Sequence, residues 1–154
     1  MPRMNILVVN GPNLGAIGRR QPGIYGSKGF DELPGVLTRI LGDREKQIRW
    51  RIYQSNHEGE LVDRLEQAVD EGVNGLVLNA GALTHTSLVL ADCLAWIGIP
   101  CVEVHLSNVW ARQEPIRQTS LIAKHCIGSV SGFGLTGYGL AFLALMEHMS
   151  SQSG

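Results

Sequence analysis

The chain has 154 residues, 44% of them hydrophobic and 18% charged, enough length and apolar content for one domain with a sizeable core. Thirteen Lys and Arg against fourteen Asp and Glu leave a formal charge of −1, which gives nucleic acid no electrostatic footprint to bind. No run is long enough for a membrane span or a signal sequence, and Cys93, Cys101 and Cys126 lack disulfide or metal-ligand spacing, so a reducing, cytoplasmic location is expected.

The first element is a strand over 4–9, where Ile6-Leu-Val-Val9 breaks into the turn residues Asn10-Gly-Pro-Asn13. A glycine-rich stretch follows over 14–29, carrying Arg19, Arg20 and Tyr25, and reads either as a mobile lid or as a solvated surface loop. Next come a helical pattern over 30–42, a strand over 48–53 and a helix over 58–71. In that helix Leu61, Leu65, Ala68 and Val69 form the apolar stripe, with Asp63, Glu66 and Gln67 facing out. A strand over 75–79 ends at Asn79-Ala-Gly81, and a helix over 86–97 follows with Thr84 or Thr86 as its expected cap. The strand over 100–105 ends in Glu103-Val-His105, and a long polar loop spans 106–126. A strand over 127–131 and a helix over 136–149 complete the pattern, with a polar tail over 150–154 expected to fray.

Alternating strands and helices imply right-handed crossovers and a parallel sheet covered on both faces. The expected fold is α/β, a flavodoxin-like three-layer sandwich on a five-stranded parallel sheet, spanning 1–154 as a single domain. In such sheets ligands bind outside the carboxyl ends of the strands. Three strand ends offer Asn10 and Asn13, Asn79, and His105 to one rim.

Glu103 and His105 alternate on one strand and so project from the same face. A carboxylate in an apolar strand needs a partner, and one beside an imidazole fixes the ring's tautomer, which suits a general acid. A purely structural hydrogen bond would use the same pair. His85 stands before a helix, where free N–H groups favour oxygen-rich ligands, and Asp92 lies about two turns further on. Taken singly, each also fits a surface role. Tyr25 lies near Arg19 and Arg20. A phenol titrates near about 10 in isolation, and a neighbouring guanidinium favours the phenolate and makes it a usable base. A tyrosine packing its ring in a loop remains the alternative.

The chain has no G-x-G-x-x-G after its first strand, no P-loop and no G-x-S-x-G elbow. No lysine sits at a strand end where a Schiff base would form. What remains is proton transfer without metal or cofactor, set against the other possibility of a flavodoxin-like module that binds flavin or another anion without turnover.

Five blocks carry a resemblance. They are Asn10-Gly-Pro-Asn-Leu14, Gly18-x-Arg20-x-Pro22 with Ile24-Tyr-Gly26, Asn79-Ala-Gly-x-x-Thr-His-Thr-Ser87, Glu103-Val-His-x-Ser-Asn108 and Gly132-Phe-Gly134. In order and spacing, from about residue 4 to 145, they resemble type II 3-dehydroquinate dehydratase. The resemblance implies cofactor-free, metal-free anti elimination of water from 3-dehydroquinate through an enolate, giving 3-dehydroshikimate in the shikimate pathway. It also implies a flavodoxin-like subunit and a homododecamer built from trimers.

By that resemblance Tyr25 is the base, and Arg20 holds it as phenolate. Asn13 steadies the enolate oxygen, His105 protonates the departing hydroxyl, and Glu103 supports His105. Asn79, His85, Leu106, Ser107, Arg117 and Arg112 match substrate contacts, and Asp92 a carboxylate that reaches a neighbouring subunit's site. Gln21, Gly15, Ala16 and Trp110 depart from the commoner pattern. The stretch from Arg112 to Arg117 is one residue longer than usual, and Arg117 is aligned by the Ser120 that follows it.

Overall fold

Residues 2–16 and 29–153 are described by the structure, a computed structural model. The segment read as a lid or a surface loop, with Arg19, Arg20, Gln21 and Tyr25, lies outside the described residues but for its flanking ends.

Five runs form the sheet: β1 (Met4–Asn10), β2 (Ile48–Gln54), β3 (Gly75–Asn79), β4 (Cys101–His105) and β5 (Gly128–Ser131). They lie in the order β2-β1-β3-β4-β5, and every neighbouring pair is parallel. This is the flavodoxin-like order. Four α-helices connect or close the strands among the described residues: α1 (Leu33–Leu41), α2 (Glu58–Asp70), α3 (Leu88–Ile97) and α4 (Thr136–Ser153).

Strand alternation builds the two layers of core. Ile6 and Val8 of β1, with Val77, Val102 and Val104, pack against α1 and α4 through Leu33, Leu37, Tyr138, Phe142 and Leu145. Leu7 and Val9, with Leu76, Leu78 and Cys101, pack against α2 and α3 through Leu61, Leu65, Leu90 and Leu94. The inner strands β3 and β4 are buried at every position, as a parallel sheet covered on both faces requires. Each fully buried Leu or Phe contributes about 1.5–3 kcal/mol by leaving water. The edge strand β2 alternates charged and apolar residues instead.

The structure moves several boundaries. Phe30–Glu32 forms a 3-10 turn, and α1 begins after it with Pro34 in its first turn, where a missing N–H costs nothing. Val69 is 41% exposed, because the buried stripe Leu61, Leu65, Ala68 has already rotated past it. The expected threonine cap of α3 is corrected: the chain makes a 3-10 turn over Gly81–His85, and Ser87 is the residue whose hydroxyl accepts from the Leu90 N–H at 2.9 Å. Thr84 is instead buried, and its hydroxyl has no partner among the described residues. α4 runs past 149 to Ser153, with the Ser151 hydroxyl donating to the His148 carbonyl at 2.8 Å. The loop over 106–126 is folded into three 3-10 turns. Among the described residues no helix is long and apolar enough to cross a membrane.

Candidate active site

β1 and β3 end side by side, with Asn10 in register opposite Asn79. Beyond them the two turns interlock. The Gly11 N–H donates to the Asn79 carbonyl at 2.7 Å, and a Cβ on Gly11 would stand 2.5 Å from the Ala80 carbonyl oxygen, so no side chain fits there. The tight turn leaves Asn13 at φ 70, a left-handed conformation that asparagine tolerates better than most residues. Its N–H donates to Asn56 Oδ1 at 2.9 Å, while Gln54 Nε2 donates to both Asn56 Oδ1 and the Gly11 carbonyl at 3.1 Å.

These strand ends open on a cavity of about 170 Å³. Asn13 lines it from the β1 turn, Asn79 and His85 from β3 and the turn after it, and His105, Leu106 and Ser107 from the end of β4. Arg112 and Arg117 reach it from the following loop. Among the described residues, most of those singled out from sequence thus meet at one place, while Arg20 and Tyr25 lie outside the described residues. Three of the described ones do not join them directly. Glu103 lies behind His105, where it lines an adjoining cavity. Asp92 is exposed on α3 and does not line either cavity. Asn10 is fully buried under the floor rather than on the rim.

His105 and Glu103 are 8% and 3% exposed, and the His105 Nε2–H donates to Glu103 Oε2 at 2.5 Å. The Ser120 hydroxyl donates to the other carboxylate oxygen at 2.9 Å and accepts from the Ala123 N–H. The buried carboxylate is therefore held by two donors on different oxygens, which offsets its desolvation. The bond to Glu103 fixes the ring of His105 and leaves Nδ1 as the nitrogen that exchanges a proton with a ligand.

The rim is assembled by loop-to-loop bonds. The His85 Nδ1–H donates to the Thr119 carbonyl at 2.7 Å, which makes Nε2 the acceptor of the neutral ring. Arg112 donates to the Ser107 hydroxyl at 2.7 Å, and Arg117 to Glu114 at 3.1 Å. The Ser131 hydroxyl ties β5 to this loop by donating to the Ser107 carbonyl and accepting from the Val109 N–H. The cavity thus presents two guanidinium groups, an imidazole held by a carboxylate, and two asparagine amides. That set suits a small, oxygen-rich anion that undergoes proton transfer. Among the described residues no cluster of three His, Cys, Asp or Glu side chains is grouped as metal ligands would be.

A family model described as dehydroquinase class II matches residues 4–146. The chain belongs to this family. A 3-dehydroquinate dehydratase of Caldicellulosiruptor saccharolyticus is 43% identical over 142 residues, covering 92% of this chain and 96% of that protein. One from an Exiguobacterium strain is 48% identical over 145 residues, covering 94% and 96%. The crystal structure of a type II dehydroquinase from Butyrivibrio crossotus superposes with a TM-score of 0.86 at 40% identity, covering 94% of this chain and 98% of that one. The class II dehydroquinase fold is therefore this chain's fold.

Sequence reasoning missed several residues that shape this site. Ser120 served only to align Arg117, although it is the second donor to Glu103. Gln54 and Asn56 brace the Asn13 turn from the end of β2, a neighbour known only once strand order is known. Tyr138 sat unnoticed in an apolar helix, yet its hydroxyl is bonded to both Asn10 and Asn79. The proximity of Cys101 and Cys126 was equally invisible. The neighbouring Cys126 thiol, together with burial, pushes the Cys101 thiol well above its ordinary range.

Proposed function

We infer that this protein is a 3-dehydroquinate dehydratase, a hydro-lyase that converts 3-dehydroquinate to 3-dehydroshikimate in the shikimate pathway toward chorismate and the aromatic amino acids. The observation that carries the reading is the His105–Glu103–Ser120 arrangement, opening on a cavity with Asn13, Asn79 and two arginines, in a chain matched to the family over 4–146.

The chemistry follows from the substrate. Its ketone can take up negative charge, so a base and an acid on opposite faces of the ring suffice, with no metal or cofactor as electron sink. Tyr25, kept as phenolate by Arg20, removes the proton next to the ketone, and the electron pair moves onto oxygen as an enolate. Asn13 steadies that oxygen. As the enolate collapses, the carbon–oxygen bond to the leaving hydroxyl breaks and His105 supplies the proton that makes it water. Glu103 orients His105 and compensates its positive charge. Each positioned proton transfer is worth about 10²–10⁴-fold, and prearranged donors to the enolate add a comparable factor. Arg112 and Arg117 attract the carboxylate, while Asn79, His85 and the backbone at Leu106 and Ser107 hold the ring.

Asp92 belongs to the assembly in this reading. Leu88, Asp92 and Trp96 share one face of α3, and Leu88 and Trp96 are 67% and 60% exposed. An apolar face of that kind flanking a carboxylate fits a homo-oligomer, a dodecamer built from trimers, in which Asp92 reaches a neighbour's site. The enzyme is assigned to the cytoplasm.

The test is ultraviolet absorbance after adding 3-dehydroquinate to EDTA-treated protein, following the conjugated enone carboxylate. A rise at catalytic protein concentration is expected. Folded, assembled protein that produces none would overturn the assignment, and a yellow, flavin-bearing protein would replace it with a binding module.

A further inference from the structure

Under the cavity floor, three side chains from two strands and a helix form a continuous chain of hydrogen bonds. Asn79 Nδ2 donates to the Tyr138 hydroxyl at 3.0 Å, and that hydroxyl donates to Asn10 Oδ1 at 2.7 Å. Asn10 and Tyr138 are fully buried and Asn79 is 3% exposed. The direction of every bond is forced from one end. The Gly81 N–H, which can only donate, points at Asn79 Oδ1 at 3.2 Å. The amide oxygen of Asn79 therefore faces Gly81 and its nitrogen faces Tyr138. Tyr138 oxygen accepts there, so its single proton goes to Asn10, whose oxygen must turn toward it. Asn10 Nδ2 is then left buried with no partner among the described residues, the cost of an arrangement set by the other two members.

We propose that Tyr138 is a positioning residue for substrate recognition, holding the Asn79 amide, already oriented by Gly81, at the place from which it meets the ligand. Asn79 lines the cavity with one N–H and one oxygen lone pair uncommitted among the described residues. That donor–acceptor pattern matches a ligand hydroxyl, which needs one of each. An Asn79 amide flipped by half a turn would set its NH2 group against the Gly81 N–H. The Gly81 N–H thus sets which way the amide faces, and the Tyr138 hydroxyl holds the amide nitrogen from the helix side, which fixes where the Asn79 side chain stands. Tyr138 keeps its own place through the Phe30 ring, edge-on at 5.3 Å, and through burial, which pushes its hydroxyl upward and keeps it a phenol.

The identity of the ligand, 3-dehydroquinate, rests on the function proposed above. Tyr138→Phe deletes only the hydroxyl. It is expected to raise KM for 3-dehydroquinate about tenfold while kcat stays within about threefold, since a ground-state contact is loosened. Because Phe strands the Asn10 oxygen, the double variant Asn10→Leu, Tyr138→Phe removes that oxygen too, restores an apolar match, and must show the same KM shift. Phe142→Leu, one turn along the same helix against Trp50, controls for lost stability. It should lower Tm and leave KM within about twofold. KM within about twofold of the parent in both Tyr138 variants, or an equal shift in Phe142→Leu, overturns the proposal. A parent protein without turnover overturns the function itself, an outcome seen before any variant is made.

Discussion

The floor and the rim of the cavity are built on different principles. On the floor, Asn79 and His105 end fully buried strands, with Glu103 two residues behind His105, and each side chain is tied to a partner fixed by the fold. On the rim, Arg117 keeps 44% of its side chain exposed and pairs with Glu114 three residues away, and Trp110 is 70% exposed on a 3-10 turn. Strand register sets the floor's geometry, so its groups can carry chemistry, which depends steeply on position. The rim supplies charge on long side chains, and charge acts at a distance and tolerates motion.

The sharpest way to break this comparison is to remove the floor's proton donor. His105→Ala should lower kcat by about 10²–10⁴-fold with unchanged circular dichroism and assembly. A rate within tenfold of the parent would move the acid elsewhere. The rim should respond differently in kind. Arg117→Ala is expected to raise KM about tenfold with little change in kcat, and the gap should narrow as salt is raised, because a half-exposed charge is screened. A kcat effect larger than the KM effect would place Arg117 with the floor. Ser120→Ala tests the junction of the two, since Ser120 lies in the loop but donates to Glu103. Losing one of two bonds to a buried carboxylate should cost about 1–3 kcal/mol in urea unfolding and slow turnover about threefold. No stability change would mean that the second carboxylate oxygen finds another donor.

How far the sequence revealed this division follows from range. The strands were legible because β1, β3 and β4 are continuous apolar runs and each ends in polar residues that belong to no strand pattern. Asn79, Glu103 and His105 were found for the same reason: a polar residue within or at the end of a buried strand has to be explained. Ser120 and Tyr138 were not legible, since a serine in a polar loop and a tyrosine in an apolar helix contradict nothing locally. Their roles exist only through partners 17 and 59 residues away. The cap of α3 failed for a smaller reason. Thr84, Thr86 and Ser87 are all good N-caps, and only the intervening 3-10 turn decides for Ser87.

The smallest expected effect extends the comparison to a single helix. Asp92 and Cys93 are neighbours in α3, yet Asp92 faces outward while Cys93 is 3% exposed against the α2 side of the core. Burial, reinforced by the negative charge of Glu66, pushes the Cys93 thiol from 9.0 up to about 11. The folded chain therefore keeps this proton between about pH 9 and 11 while the unfolded chain releases it. Stability from this group is intact below pH 9 and is lost as pH rises through that window, at a slope of up to about 1.4 kcal/mol per pH unit. Cys101, raised in the same direction, adds to the slope of the parent protein. Urea midpoints measured across this range should fall less steeply in Cys93→Ala than in the parent, whatever the offset from the cavity left behind. Parallel lines would mean that the thiol meets water in the folded state, and that α3's inner face is no drier than the rim.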